Sequence, residues 1–339
     1  MKTKSLVGLK LHHSLVLLSF FFITSCTAQV LESTFSPDRK QIAFITDSLF
    51  AGKTIYLINE RSKTTKLETK LDVRRVRNLS WSHGGKQLAL SISKAELKES
   101  LEYQIYVVDL DGIQPPIYLA KGIDPSWSPD GKIIAFVSNS YEDGNWNIYR
   151  INTDGSGQFR LTSKLSDIKN PSWSPDGKQL IFSASDSSLV DPGRSEPFIY
   201  VVQSDGRTKP KRLIEGSNPV WNLSGSQFAF YNRGRIRVMN IYDKKIITLP
   251  EIPGGFPGSL SMTWKPSGSY ILVAAAYCIG NKADCARKIY LVKADGSEVP
   301  KFLADGGSPG WFQDGKIVFE NQGHLYSIHK DGSSLVQLR

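Results

Sequence analysis

Seven segments of the chain repeat one pattern, each marked by an aromatic residue: Phe35, Trp81, Trp127, Trp173, Trp221, Trp264 and Trp311. The steps between them are 46, 46, 46, 48, 43 and 47 residues. Six of the seven tryptophans hold this position, and Trp146 is the exception. Self-similarity at this period constrains the fold more than any other feature. A unit of about 45 residues cannot bury its own faces, so it must stack against copies of itself.

The clearest copies read Trp127-Ser128-Pro129-Asp130-Gly131-Lys132 and Trp173-Ser174-Pro175-Asp176-Gly177-Lys178. Ser opens a type I turn, Pro presets φ at the next position, Asp suits the third, and Gly accepts the left-handed geometry that follows. A β-rich run comes next, as in Ile133-Ile134-Ala135-Phe136, which predicts a tight hairpin. A second hairpin starts at an apolar–aromatic pair: Ile55-Tyr56, Ile105-Tyr106, Ile148-Tyr149, Ile199-Tyr200, Ile289-Tyr290 and Leu325-Tyr326. In five copies Asp-Gly follows the tyrosine by five residues, at Asp111, Asp154, Asp205, Asp295 and Asp331. Each copy therefore predicts four antiparallel strands. The whole predicts an all-β propeller of about seven four-stranded blades, with six as the alternative count. The recurrent Trp and Tyr read as inter-blade packing. Some copies depart from the pattern, with Arg39 at the glycine position of the first and Leu223-Ser224-Gly225 in the fifth. Such departures read as drift where only turn geometry and packing are demanded.

This pattern resembles the TolB-type propeller repeat, which also builds the propellers of prolyl oligopeptidases and dipeptidyl peptidases. The resemblance covers essentially everything after the N-terminal signal and implies a fold rather than an activity. TolB itself carries an α/β domain ahead of a six-bladed propeller, and no segment here fits such a domain. The related peptidases carry a separate α/β-hydrolase domain. With the last repeat running to Arg339, the sequence predicts a non-enzymatic protein.

The N-terminus reads as an export signal. Lys2, Lys4 and Lys10 precede an apolar stretch from Leu15 to Ile23 that is too short to span a membrane as a stable helix. Ile23-Thr24-Ser25-Cys26 resembles a bacterial lipobox, in which Cys26 receives lipid; cleavage after Ala28 is the alternative. The expected organisation is a signal peptide over 1–25 and one propeller domain over 26–339. The expected location is the periplasm or cell surface, with membrane attachment through the lipid anchor only. The net charge of +10 falls to +7 once the signal lysines are removed. That charge suits acidic partners, either an envelope protein or an anionic glycan. Export argues against nucleic acid, and a monomer is expected. Beyond Cys26 the only cysteines are Cys278 and Cys285, an even pair that in an oxidising compartment predicts a disulfide.

Motifs that carry chemistry are weak. Gly306-Gly307-Ser308-Pro309-Gly310 has the spacing of a nucleophile elbow, but no helix is expected after it, and it reads as a loop between blades. Gly52-Lys53-Thr54 ends like a phosphate-binding loop and lacks the earlier glycine. His83, His324 and His329 are not spaced to share a metal, so no metal, cofactor or catalytic residue is assigned. A propeller lyase or glycosidase acting on an anionic polysaccharide, with carboxylates meeting in the central channel, is the alternative to a binding scaffold.

Loop lengths suggest a binding face. The step from the marker aromatic to the end of strand two is nine residues in six copies and eight in the last. The step from strand two to strand three ranges from 6 to 17. In an up-and-down blade these variable loops share a face with the links between blades, and insertions gathered on one face mark the binding side. That face should carry Tyr141, Trp146, the stretch from Ser183 to Pro197, the cysteine loop, and the link holding Arg74, Arg75 and Arg77.

Overall fold

The computed structural model describes residues 29–48, 52–69, 71–93, 102–141, 144–185, 197–253, 259–278 and 285–338. These residues form seven four-stranded antiparallel sheets, each a meander of four consecutive strands. The only helical element among them is a 3-10 turn, Val73–Arg75. The fold is the predicted seven-bladed propeller.

The first strands of the blades are Gln29–Phe35, Val76–Trp81, Ile123–Trp127, Ser166–Trp173, Ser217–Trp221, Ser259–Trp264 and Gly307–Trp311. Each contacts the first strands of both neighbouring blades, so the seven make a continuous inner ring. The marker aromatic therefore ends strand one rather than opening the hairpin. The segment Gly307–Trp311, expected to be a loop, is the innermost strand of blade seven. It was hard to read as a strand because it holds two glycines and a proline. Its register with strand two skips between Gly307 and Gly310, and such a bulge tolerates a residue without an N–H donor.

Buried apolar residues fall into seven clusters, one at each blade–blade junction. The six marker tryptophans are 1–8% exposed, which places them in these junctions. Three of them also stitch blades together by hydrogen bonds. The indole Nε1 groups of Trp81, Trp173 and Trp264 donate to the carbonyls of Thr34, Ser126 and Val220 on the preceding blade, each at 3.0 Å.

The Ser-Pro-Asp-Gly turns are closed as their chemistry demands. In blade three Gly131 has φ 72° and its N–H donates to the Ser128 carbonyl at 2.9 Å. The Ser128 hydroxyl donates to Asp130 at 2.6 Å and accepts from the Ile133 N–H at 3.0 Å.

Among the described residues, ring closure uses no strand exchange. Val30 and Glu32 pair with Thr46 and Ile45 of their own blade, and the last blade supplies its own fourth strand, Val336–Gln337. Blades one and seven meet through Ile42, Phe44 and Ile58 against Phe312, Val318 and Leu325. Phe35 packs edge-on against Phe312, with ring centroids 5.8 Å apart. Gly310 makes this possible, because a Cβ there would lie 1.8 Å from the Phe35 ring. Arg39 completes the seam. Its guanidinium donates to the Trp311 carbonyl at 3.3 Å, and its own carbonyl accepts from the Gln313 N–H at 3.0 Å. Arg39 at the glycine position is thus a closing contact, not drift.

Candidate functional site

The predicted binding face holds the links between blades and the turns from strand two to strand three. Arg75 ends the 3-10 turn and is exposed, and the backbone of Arg74 lies in the same turn, its side chain outside the described residues. Arg77 is exposed on the first strand of blade two. Its guanidinium lies 5.8 Å from the centre of the Tyr103 ring and acts on Asp124 of blade three. Burial raises the Asp124 carboxyl above its ordinary range, and the positive charge of Arg77 partly offsets this. The pair bridges the junction of blades two and three.

Tyr141 is packed rather than displayed. Its ring tilts against Tyr149 at 5.0 Å, and its hydroxyl accepts the Lys121 N–H at 3.1 Å. Trp146 is 40% exposed just before the third strand of blade three, Asn147–Asn152. Cys278 and Cys285 stand directly opposite each other as the last register pair of the second hairpin of blade six. Their side chains, the loop between them, residues 186–196 and Cys26 lie outside the described residues.

One repeated feature escaped the sequence reading. The residue three positions before each marker aromatic is polar in all seven blades: Glu32, Asn78, Asp124, Asn170, Asn218, Ser261 and Ser308. In five of them it adopts left-handed geometry, with φ of 49, 53, 54, 52 and 48° at Asn78, Asp124, Asn170, Asn218 and Ser308. Asn and Asp tolerate that geometry better than other side-chain-bearing residues, which explains the residue choice. The position sits on the innermost strand of each blade. Among the described residues, no three His, Cys, Asp or Glu side chains are placed to hold a metal ion.

The repeated turns, the junction tryptophans and the inner ring agree with a family match: the model of the TolB beta propeller domain fits residues 19–191. The chain belongs to the TolB beta propeller domain family. Solved structures share the fold. TolB from Acinetobacter baumannii superposes with a TM-score of 0.52 at 21% identity, over 81% of this chain and 64% of that one. The propeller of the Trilobed protease from Pyrococcus furiosus, which has an open velcro topology, gives 0.60 at 13% identity over 92% and 96%. Dipeptidyl peptidase 4 from Porphyromonas gingivalis gives 0.53 at 15% over 91% and 52%, so the chain spans about half of that enzyme. No curated protein matches the chain in sequence.

This TolB-type propeller also has a cavity that the loop-length argument did not anticipate. It opens on the face of the uniform turns, between blades four and five, with a volume of about 760 Å³. Lys178, beside the Ser-Pro-Asp-Gly turn of blade four, lines it.

Proposed function

We propose that the protein is a non-enzymatic binding scaffold of the bacterial cell envelope, engaging an envelope protein or anionic glycan through its loop-rich face. The observation that carries this reading is the division of the ring into two unlike faces. The Ser-Pro-Asp-Gly and Asp-Gly turns repeat one geometry on one face, whereas the hairpins on the other differ in length from blade to blade. Uniform turns satisfy the fold alone, and length variation at one end of a rigid scaffold places different chemistry around one mouth. Arg75 and Arg77, both exposed there, supply positive charge for an acidic partner. The TolB family match supports an exported propeller, and Cys26 is the proposed anchoring residue.

The test is co-purification from the cell envelope after mild crosslinking. Arg75→Glu with Arg77→Glu should lose the wild-type partner set, while Lys132→Glu, on the uniform face, should keep it. Equal loss in both variants, with both folded, would contradict the assignment of the face. Intact mass of the exported protein should show a chain starting at Cys26 with added acyl mass; a start at Gln29 would remove the anchor.

A further inference from the structure

The cavity between blades four and five lies on the face that the proposed partner site does not use. It is lined by the regular turns of blade four and by turns of blade five that depart from the repeat pattern. The turn between strands three and four of blade five has no Asp-Gly; it reads Ile241-Tyr242-Asp243-Lys244-Lys245. Lys244 there takes φ 60°, in the left-handed region where other blades place glycine, as at Gly155, Gly206 and Gly296. The turn between strands one and two of blade five replaces Pro-Asp-Gly with Leu223-Ser224-Gly225.

Positive charge and one bare ring surround the cavity. Lys178, Lys209 and Lys211 of blade four and Lys244 of blade five line it. Partial desolvation and then the like charge of Lys211 favour the neutral form of Lys244, whose Nζ also donates to the Ile241 carbonyl of its own turn. The one lining carboxylate is already engaged: Asp176 accepts the Ser174 hydroxyl at 2.6 Å and the Lys178 N–H at 3.1 Å. Tyr242 stands on the rim, 77% exposed. Crowded lysines repel one another unless an anion sits among them, and a ring on the rim offers an apolar platform to a flat ligand face. The volume lies within the range of small-molecule sites.

We propose that this cavity is a binding site for a short anionic saccharide, its carboxylate or sulfate groups held by Lys178, Lys209, Lys211 and Lys244 and a sugar ring resting on Tyr242. The site is independent of the loop-rich face, so the protein carries two binding surfaces on opposite sides of the ring.

Calorimetric titration of the purified propeller with digalacturonate and with a heparin-derived disaccharide tests this, with neutral cellobiose as control. At least one anionic disaccharide should bind and cellobiose should not. Lys209→Ala with Lys211→Ala should weaken binding by about tenfold per lysine, the loss expected for a hydrogen bond to a charged group. Tyr242→Ala should weaken it further, and Lys132→Ala, on the same face but outside the cavity, should leave it unchanged. Three results overturn the proposal: neither anionic disaccharide binds, the lysine variant binds as wild type, or inorganic sulfate competes as well as the disaccharide while Tyr242→Ala is silent.

Discussion

At Asp130 and Asp176 one carboxylate oxygen accepts both a serine hydroxyl and a backbone N–H, and the serine bond is the main reason each carboxyl is held below its ordinary range. A carboxyl whose folded pKa lies below its unfolded value of about 3.9 adds stability above that value and loses it as pH falls through the folded one. Ser128→Ala with Ser174→Ala should therefore lower the melting temperature at pH 7, and the gap to wild type should shrink below about pH 4. A gap independent of pH would show that the carboxylates do not contribute. Arg39 gives a second test at this scale. It pays for a left-handed backbone, φ 56°, with a bond to the Trp311 carbonyl across the seam. Arg39→Ala keeps the strain and loses the bond, a cost of about 1–2 kcal/mol. Arg39→Gly loses the bond but relieves the strain. Stability by denaturant unfolding should rank wild type above Arg39→Gly above Arg39→Ala; glycine as the most stable variant would make the seam contact unimportant.

Among the elements, the second and third strands were legible because Ile134–Val137 is an apolar run and Ile148-Tyr149 a recurrent apolar–aromatic pair, each close to turn residues. The first strand was not. Ile123-Asp124-Pro125-Ser126-Trp127 and Gly307-Ser308-Pro309-Gly310-Trp311 each carry a proline, the second also two glycines, and a bulge breaks the register at the left-handed residue. The signal that could have revealed it is the polar residue three places before every marker aromatic. The cysteine pair sits on a more regular element. The second hairpin of blade six, Tyr270–Cys278 and Cys285–Lys293, runs in unbroken register from Tyr270–Lys293 to Cys278–Cys285. Directly opposed residues of antiparallel strands have Cα atoms about 4.5–5.5 Å apart, within reach of a disulfide. A bridge here should add about 2 kcal/mol, so the non-reduced exported protein should show no free thiol from this pair after denaturation, and reduction should lower its melting temperature. Two titratable thiols in the freshly exported protein would contradict the bridge.

For the whole molecule, blade number follows from counting repeats, and among the described residues the last copy supplies its own fourth strand. The candidate surfaces were only half legible. Arg75, Arg77 and Trp146 are exposed, whereas Tyr141 is committed to packing, a role no single sequence position declares. The cavity between blades four and five was hidden because its lining comes from residues 174 to 244, which meet only when two repeats stack. Its trace in the sequence was the irregular turn chemistry of the fifth repeat. The central claim is that the ring presents a partner through its loop-rich face. The most direct measurement is photo-crosslinking in intact cells, with a benzoylphenylalanine placed singly at Arg77, Trp146, Lys86 or Lys132. Positions 77 and 146 should each give one discrete partner adduct, and positions 86 and 132, beside the uniform turns, none. The same adduct from 86 and 132, with 77 and 146 silent, would contradict the claim.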